Sequence, residues 1–361
     1  MEVVDVAIVG GGPAGSTCAA FCASAGLRTV LIEREKFPRE KVCGDCVNPA
    51  CWSVLRRLEV AEQVRNLSHA KIDTVEFISI GGRKVAVNLP RNGESEIAVK
   101  RSLFDNVLLN RAREQGAGIH ESSVVAGIRK TAAHNWKIDI VHQTITARVL
   151  VGADGRNSTV ARLCNLLPRP ERERIALQAH IPLPRDFGRR IVLQFLPEGY
   201  SGQSPVNENE LNLCLVGKPA SISILRRWAE SEFGLSPDQT WRTITPLTRG
   251  AISPAHDNLL LIGDAARVVE PFTGEGIYYA LRSSELAADA IVKIIGGQDR
   301  QLTLREFVRA HAQMYRGRLS INNLARAAVL SPRLTSVLLQ IPGISSTIMR
   351  LLTGKIVNES Q

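Results

Sequence analysis

Two groups of small and acidic residues, far apart in the chain, have the types and spacing to do chemistry. Near the start, Gly10-Gly11-Gly12-Pro13-Ala14-Gly15 spells G-x-G-x-x-G, and Glu33 stands eighteen residues beyond its last glycine. Gly10 permits a tight turn, Gly12 lets backbone amides approach a pyrophosphate, and Gly15 lets a helix pack on a strand. A carboxylate at the distance of Glu33 is where an acid takes the ribose hydroxyls of an adenine dinucleotide. Much later come Gly263-Asp264 and Gly274-Glu275-Gly276.

Three thiols lie between these groups. Cys43 and Cys46 form a C-x-x-C, and Cys46 and Cys51 a C-x-x-x-x-C. Either spacing suits a redox pair or half a metal site. No second cysteine or histidine cluster completes a zinc site, so no metal is expected. Seven cysteines, an odd number scattered along 361 residues, argue against a structural disulfide framework.

The first group needs a strand, a helix and a second strand to hold it. Residues 3–9 are a short β-branched run of the doubly buried parallel type, 13–25 read as a helix whose free amides face the phosphates, and 27–32 as the second strand. Asn48 and Pro49 look like a helix start, the asparagine capping and the proline at the first position. Residues 73–80 and 83–89 read as paired strands around Gly81-Gly82. A short strand at 97–100 returns to the nucleotide domain and runs into Arg101 and a helix to about Gln115, opened by a Ser102-x-x-Asp105 capping box. Strand-like segments follow at 118–128, 136–141 and 144–151, the last entering Gly152-Ala153-Asp154-Gly155.

The charged, proline-punctuated run 167–174 marks a crossing between domains. Segments 176–181, 190–196 and 211–216 suit a more antiparallel sheet, which a helix at 221–233 could cover. A buried-type strand at 259–262 ends in Gly263-Asp264, and a long helix spans about 277–295. Thr303-x-x-Glu306 reads as another capping box. The apolar stretch 327–352 is interrupted by Pro332, Arg333, Pro342, Gly343 and Arg350 too often for a membrane span. A peripheral membrane contact and a roof over the second domain both suit it.

These signals predict an α/β fold with an α+β second domain. Residues 1–72, 97–166 and 250–298 make a discontinuous, Rossmann-like domain of three layers around a parallel sheet. Residues 73–96 and 167–249 make a mixed or antiparallel-sheet substrate domain, and 299–361 a C-terminal helical region. Lys and Arg total 45 against 35 Asp and Glu, a net charge of +10. That excess suits cofactor phosphates, a diphosphate substrate, an anionic membrane surface, or solvated arginines with no partner. No aromatic-interleaved basic stretch, zinc-finger spacing or helix-turn-helix pattern points to nucleic acid. A first strand beginning at Val3 leaves no room for a signal peptide, so a cytoplasmic, or membrane-peripheral, protein is expected.

Taken together, the Gly10 turn with Glu33, the Asp154-Gly155 segment, and Gly263-Asp264 followed by Gly274-Glu275-Gly276 resemble, in order and spacing, the flavoprotein hydroxylase superfamily over nearly the whole chain to about residue 295. Within it, Lys41-Val42-Cys43-Gly44-Asp45 and Pro271-Phe272-Thr273-Gly274-Glu275-Gly276-Ile277-Tyr278-Tyr279-Ala280-Leu281 are similar to signatures of the geranylgeranyl reductase branch. Tyr200-Ser201-Gly202-Gln203-Ser204-Pro205 departs from that branch's aromatic Y-x-W-x-F-P segment.

The resemblance implies FAD, held by Gly10, Gly12, Pro13, Ala14, Gly15, Glu33 and Arg34. It implies that Arg101 reaches the phosphate or ribityl region, that Val125 presents backbone to adenine, and that Asp154 steadies the pyrophosphate or a transient nicotinamide cofactor. Asp264 would accept hydrogen bonds from ribityl hydroxyls, and Gly274, Gly276 and Ile277 would open a helix facing the flavin pyrimidine edge. Cys43 is the catalytic candidate beside the isoalloxazine, and Tyr200 and Tyr278 are substrate candidates. Plainer readings stand beside these: Asp264 and Asp154 as turn residues, Arg101 in a surface salt bridge, Cys43 as packing, and Glu275 orienting its turn.

The activity implied is an FAD-dependent oxidoreductase that takes electrons from transiently bound NAD(P)H and reduces a C=C bond of a lipophilic, isoprenoid-like small molecule. A monooxygenase hydroxylating an aromatic or polyketide-like compound is the nearest alternative. A disulfide reductase using Cys46 and Cys51 would need a second G-x-G-x-x-G for NADPH, which is absent. A halogenase would want a W-x-W pair, which Trp52, Trp136, Trp228 and Trp241 do not make. A flavin-binding membrane-surface partner without turnover is a non-enzymatic reading.

Overall fold

The computed structural model describes residues 3–89, 95–141, 143–171, 174–270 and 274–339. Among them the helices are α1 (Pro13–Ser24), α2 (Cys51–Arg57), α3 (Ala61–Arg65), α4 (Arg101–Glu114), α5 (Thr159–Leu163), α6 (Ile222–Phe233), α7 (Gly276–Ile295), α8 (Arg300–Met314), α9 (Leu319–Leu330) and α10 (Pro332–Leu339).

Val3–Val9 is the middle of five parallel strands that run in the order Leu259–Leu261, Gln143–Gly152, Val3–Val9, Thr29–Ile32, Gly118–His120. Val6, Ala7 and Ile8 have no exposed surface, as a strand covered on both faces requires. α1, α4 and α7 cover one face, where small residues of α1 (Ala14, Gly15, Ser16, Ala19, Ala20) permit close approach. On the other face Val125–Lys130 and Trp136–Ile140 form an antiparallel meander with Gln143–Gly152. It packs Val125, Trp136, Ile138 and Ile140 onto Ala7, Val9, Ile32 and Leu150. Helices, parallel sheet and meander are the three layers expected. Each fully buried Leu, Ile, Val or Phe in them contributes about 1.5–3 kcal/mol.

The second sheet has seven strands, in the order Arg242–Ile244, Ile175–Pro182, Glu210–Gly217, Gly199–Pro205, Arg190–Leu196, Thr74–Ile78, Lys84–Asn88. All pairs are antiparallel except Thr74–Ile78 with Arg190–Leu196. α6 buries Leu225 and Ala229 against Leu211, Leu213 and Leu215 on one face. Alternation along the strands turns Gln178, His180, Asn212 and Cys214 to the other.

Several local expectations are corrected. Gly199–Pro205, to which the sequence assigns no element, is a central strand; at Gly199 an added Cβ would lie 2.0 Å from the Val216 carbonyl oxygen, so only glycine lets the strands pair. The segment 118–128 is two strands, one in the parallel sheet and one in the meander. Ile97–Val99 joins Cys46–Val47 and His69–Lys71 in a small antiparallel sheet, and Ile97 and Val99 pack into the core that α1, α4 and α7 share.

Neither proposed capping box forms. α4 starts at Arg101, so Ser102 lies inside it and Asp105 is taken by Arg101. α8 is capped by Asp299, whose carboxylate accepts from the Leu302 amide at 2.6 Å. Asn48 caps the Ala50 amide at 2.9 Å in a turn of its own, and α2 begins two residues after Pro49. Pro271, Phe272, Thr273, Pro342, Gly343 and Arg350 lie outside the described residues. No helix among the described residues is long and apolar enough to cross a membrane.

Candidate cofactor site

The three motif glycines are needed for different reasons. Gly10 has φ +107°, and a Cβ there would sit 2.5 Å from the Ala153 carbonyl oxygen; at Gly15 one would sit 1.8 Å from that of Gly10. Both positions are demanded by the protein's own packing. At Gly12 a Cβ would meet only Arg39 Nη2, at 3.5 Å. Gly12 therefore leaves room above the N-terminus of α1, which no side chain among the described residues caps, and Pro13 and Ala14 form its buried first turn. Such an end attracts an anion through free amides and the helix dipole.

Glu33 ends its strand 6% exposed. One carboxylate oxygen accepts from the Gly11 amide at 2.5 Å and the other from the Glu35 amide at 2.9 Å. The Ser123 amide bonds the Glu33 carbonyl at 2.8 Å, which draws the start of the Val125 strand, with Val125 buried, to the same end of the sheet. Arg34 points elsewhere: its side chain is 72% exposed and pairs with Glu35.

The remote turns converge here. An added Cβ on Gly263, φ +55°, would lie 3.1 Å from the Ala14 methyl and 3.6 Å from Ala280. The Gly263 amide donates to Ser283 Oγ at 2.9 Å, and Ser284 Oγ donates to the Ala14 carbonyl at 2.7 Å. The first turn of α1, the Asp264 turn and the first turns of α7 are thus in contact. Gly274, φ +67°, and Gly276 would each place a Cβ in open space. Ile277 is buried in the core beneath them, and the Arg318 guanidinium lies over the Tyr278 ring at 5.6 Å. Glu275 makes a buried ion pair with Arg318 and accepts from Tyr279 Oη and Asn322 Nδ2 at 3.2 and 3.3 Å. It ties the turn to α9 and orients it.

Four cations gather beside this crevice. Arg39, against Gly12, pairs with Asp105 at 2.9 Å, and Asp105 also takes Arg101 through two bonds of 2.7 and 2.8 Å. Arg156 donates to Asp264 at 3.2 Å, while its Nη1 is buried with no hydrogen-bond partner among the described residues. Lys41 lies among them. Burial, then Arg101, Arg156 and Arg39, push its ammonium from the usual 10.5 down to about 8, with Asp264 acting the other way. Burial disfavours the charge of Arg101, but Asp105 and the Cys43 thiol more than offset it, so the guanidinium stays protonated. A dianionic diphosphate fits this surplus: buried charge with open donors, facing a helix end with no Cβ in the way.

Asp154 is placed beside the crevice but turned from it. Its carboxylate accepts from Ser158 Oγ at 2.6 Å and from the Thr159 and Val160 amides at 2.6 and 3.1 Å, which caps α5. The turn reading of this residue is the one its geometry supports.

The second sheet closes over the Cys43-Gly44-Asp45 turn. Asn212 Nδ2 donates to the Cys43 carbonyl at 2.7 Å, His180 Nε2 meets Asp45 Oδ2 at 2.8 Å, and Cys46 Sγ lies 3.8 Å from Ser204 Oγ. Tyr200 is buried on the same face, among Phe195 and Val216. All seven cysteines are free, and burial pushes the Cys46, Cys51 and Cys214 thiols up, which disfavours a reactive thiolate at these three positions.

Arg39, Lys41, Asp45, Arg156 and His180 are not among the residues that the sequence singles out. Lys41 and Asp45 lie inside the Lys41-to-Asp45 signature; for His180, on an unremarkable strand, no signal exists.

The family model described as FAD binding domain matches residues 3–182. The chain is 30% identical over 320 residues to a menaquinone reductase of Mycolicibacterium smegmatis, covering 79% of this chain and 75% of that one. It is 26% identical over 339 residues to digeranylgeranylglycerophospholipid reductase 1 of Methanopyrus kandleri, covering 82% of each. It spans 65% of the length of conditioned medium factor receptor 1 of Dictyostelium discoideum, at 28% identity. The structure of the flavin-dependent brominase Bmp2 superposes with TM-score 0.79 over 99% of this chain and 95% of that one, at 21% identity, and shares its fold.

Proposed function

The chain belongs to the FAD-binding flavoprotein hydroxylase superfamily and is an FAD-dependent oxidoreductase; from that premise we propose that it takes electrons from NAD(P)H and reduces a C=C bond of a lipophilic, isoprenoid-like substrate. The observation that carries the proposal is the Cys43-Gly44-Asp45 turn, which joins the cation cluster through Arg101 on one side and the substrate-side sheet through Asn212 and His180 on the other. The reductase relatives, which the chain matches over most of their length, favour reduction.

In this reading Glu33 receives the ribose hydroxyls, with Val125 at the adenine. The α1 amides with Arg39, Lys41 and Arg156 hold the diphosphate, and Asp264 the ribityl chain. Amides at the start of α7 stabilise negative charge on the pyrimidine edge by about 1 kcal/mol. Bound FAD supplies the hydride chemistry, and the protein fixes geometry and excludes water. Cys43 shapes the face on which substrate lies, with Tyr200 and Tyr278 toward the lipophilic end. NAD(P)H binds transiently.

Leu319, Leu324 and Leu330 of α9 and Leu334 and Val337 of α10 are exposed. With the +10 charge they suit an anionic membrane surface from which such a substrate would be drawn. Co-sedimentation with anionic but not neutral vesicles tests that contact.

The test of the reaction is anaerobic reduction of the yellow protein by NADPH or NADH, followed by menaquinone-4 or geranylgeranyl diphosphate in detergent. Reoxidation of the protein with formation of a product gaining two hydrogens, and no oxygen uptake, supports reduction. Oxygen uptake coupled to a hydroxylated product decides for the monooxygenase.

A further inference from the structure

The His180 and Asp45 pair spans the boundary between the two sheets. Asp45 sits at φ +60°, a region that non-glycine residues enter when the surroundings hold them there, and it has no exposed surface. Its Oδ2 meets His180 Nε2 at 2.8 Å, and its Oδ1 is buried without a hydrogen-bond partner among the described residues. His180 Nε2 also lies 3.3 Å from Gln178 Nε2, whereas Nδ1 makes no hydrogen bond to any described residue. A carboxylate on one ring nitrogen fixes the ring and leaves the other nitrogen to work.

We propose that His180 is the proton donor to the substrate and that Asp45 positions it. The inference rests on the C=C reduction proposed above. That reaction consumes one hydride, from the reduced flavin, and one proton. The π bond opens, the hydride forms a C–H bond at one carbon, and the electron pair left on the other carbon takes the Nδ1 proton of the doubly protonated His180 ring, whose Nε2–H stays on Asp45. The N–H electrons stay on the ring, and water restores the proton.

The surroundings suit this work. Burial raises the Asp45 carboxyl to about 6, and the His180 contact and Arg101 of α4 oppose that rise. Glu40 and the Cys214 and Cys46 thiols also face Asp45. Glu210, paired with Lys100, faces His180.

The test compares native protein with His180→Gln and Asp45→Asn, each first checked for FAD absorbance. In D2O, native turnover should place one solvent deuterium on the product carbon, with a rate that falls as rising pH strips the pair of its proton. His180→Gln should lose about 100-fold or more in turnover and lose that pH limb, and Asp45→Asn should move the limb to lower pH. Nitrogen-15 NMR of the cofactor-free protein should show one His180 tautomer in the native chain and a mixture in Asp45→Asn. Product formation by native protein with rate and pH profile unchanged in both variants overturns the role of the pair while leaving the reduction standing. Oxygen-coupled turnover without a reduced product overturns both.

Discussion

The Gly11 amide donates a 2.5 Å hydrogen bond to the Glu33 carboxylate, so the acid at the end of the second strand braces the phosphate turn at the end of the first. The other oxygen of Glu33 holds the Glu35 amide at 2.9 Å. A carboxylate has about four acceptor positions, so two remain for ribose hydroxyls. The residue that reads the cofactor is also the one that shapes the turn.

Glu33→Gln tests this double duty. The amide NH2 of glutamine would face a backbone N–H, leaving a buried donor unsatisfied at a cost of about 1–3 kcal/mol. Thermal unfolding of the cofactor-free variant should fall by several degrees, and FAD affinity by about tenfold or more. A variant weakened only in FAD binding would remove the bracing role.

Gly12 and Gly15 should separate folding from binding. Gly15→Ala drives a Cβ into the Gly10 carbonyl and should prevent stable folding, whereas Gly12→Ala meets only Arg39 at contact distance. The Gly12 variant should unfold at the native temperature without FAD, yet bind FAD about 100-fold more weakly, since its methyl occupies the approach to the α1 amides. Differential scanning fluorimetry with and without FAD reads both.

Asp154→Ala should behave in the opposite way. Its carboxylate serves the α5 amides, so removal should cost about 1–2 kcal/mol of stability and change FAD affinity by less than about threefold. An FAD defect larger than the stability loss would return Asp154 to the cofactor.

Residues bound by backbone rules are legible in the sequence. A strand, three glycines, a helix and an acid at fixed spacing can be assembled in few ways, and Gly10, Gly15 and Glu33 stand where that assembly requires. Asp264 and Gly276 are legible for the same reason, each closing a strand or opening a helix. Arg39, Lys41 and Arg156 are not, because a cation's role depends on what folds beside it. His180 meets Asp45 only through the docking of one sheet on the other, and that relation spans 135 positions of sequence. Gly199–Pro205 is not legible as a strand for a local reason: small residues that let strands approach closely have the same composition as a loop.

Lys41 offers the most direct physical readout of the cofactor crevice. Desolvation and three neighbouring guanidiniums push its ammonium down to about 8 in the free protein. A bound diphosphate would favour the charged form and raise that value, so FAD and a proton should bind together. FAD affinity should then be full below pH 8 and decline through and above it, by at most about tenfold per pH unit. The stability of the cofactor-free protein should run the other way. Between about 8 and the unfolded-chain value near 10.5 the unfolded state holds more protons, so folding gains as pH rises through that window. Lys41→Met should weaken FAD at neutral pH, flatten its pH dependence and abolish the alkaline gain in stability. Titration of FAD by fluorescence quenching, with parallel urea melts across this range, measures both trends. An affinity that stays level through pH 8 in the native protein would place Lys41 away from the diphosphate.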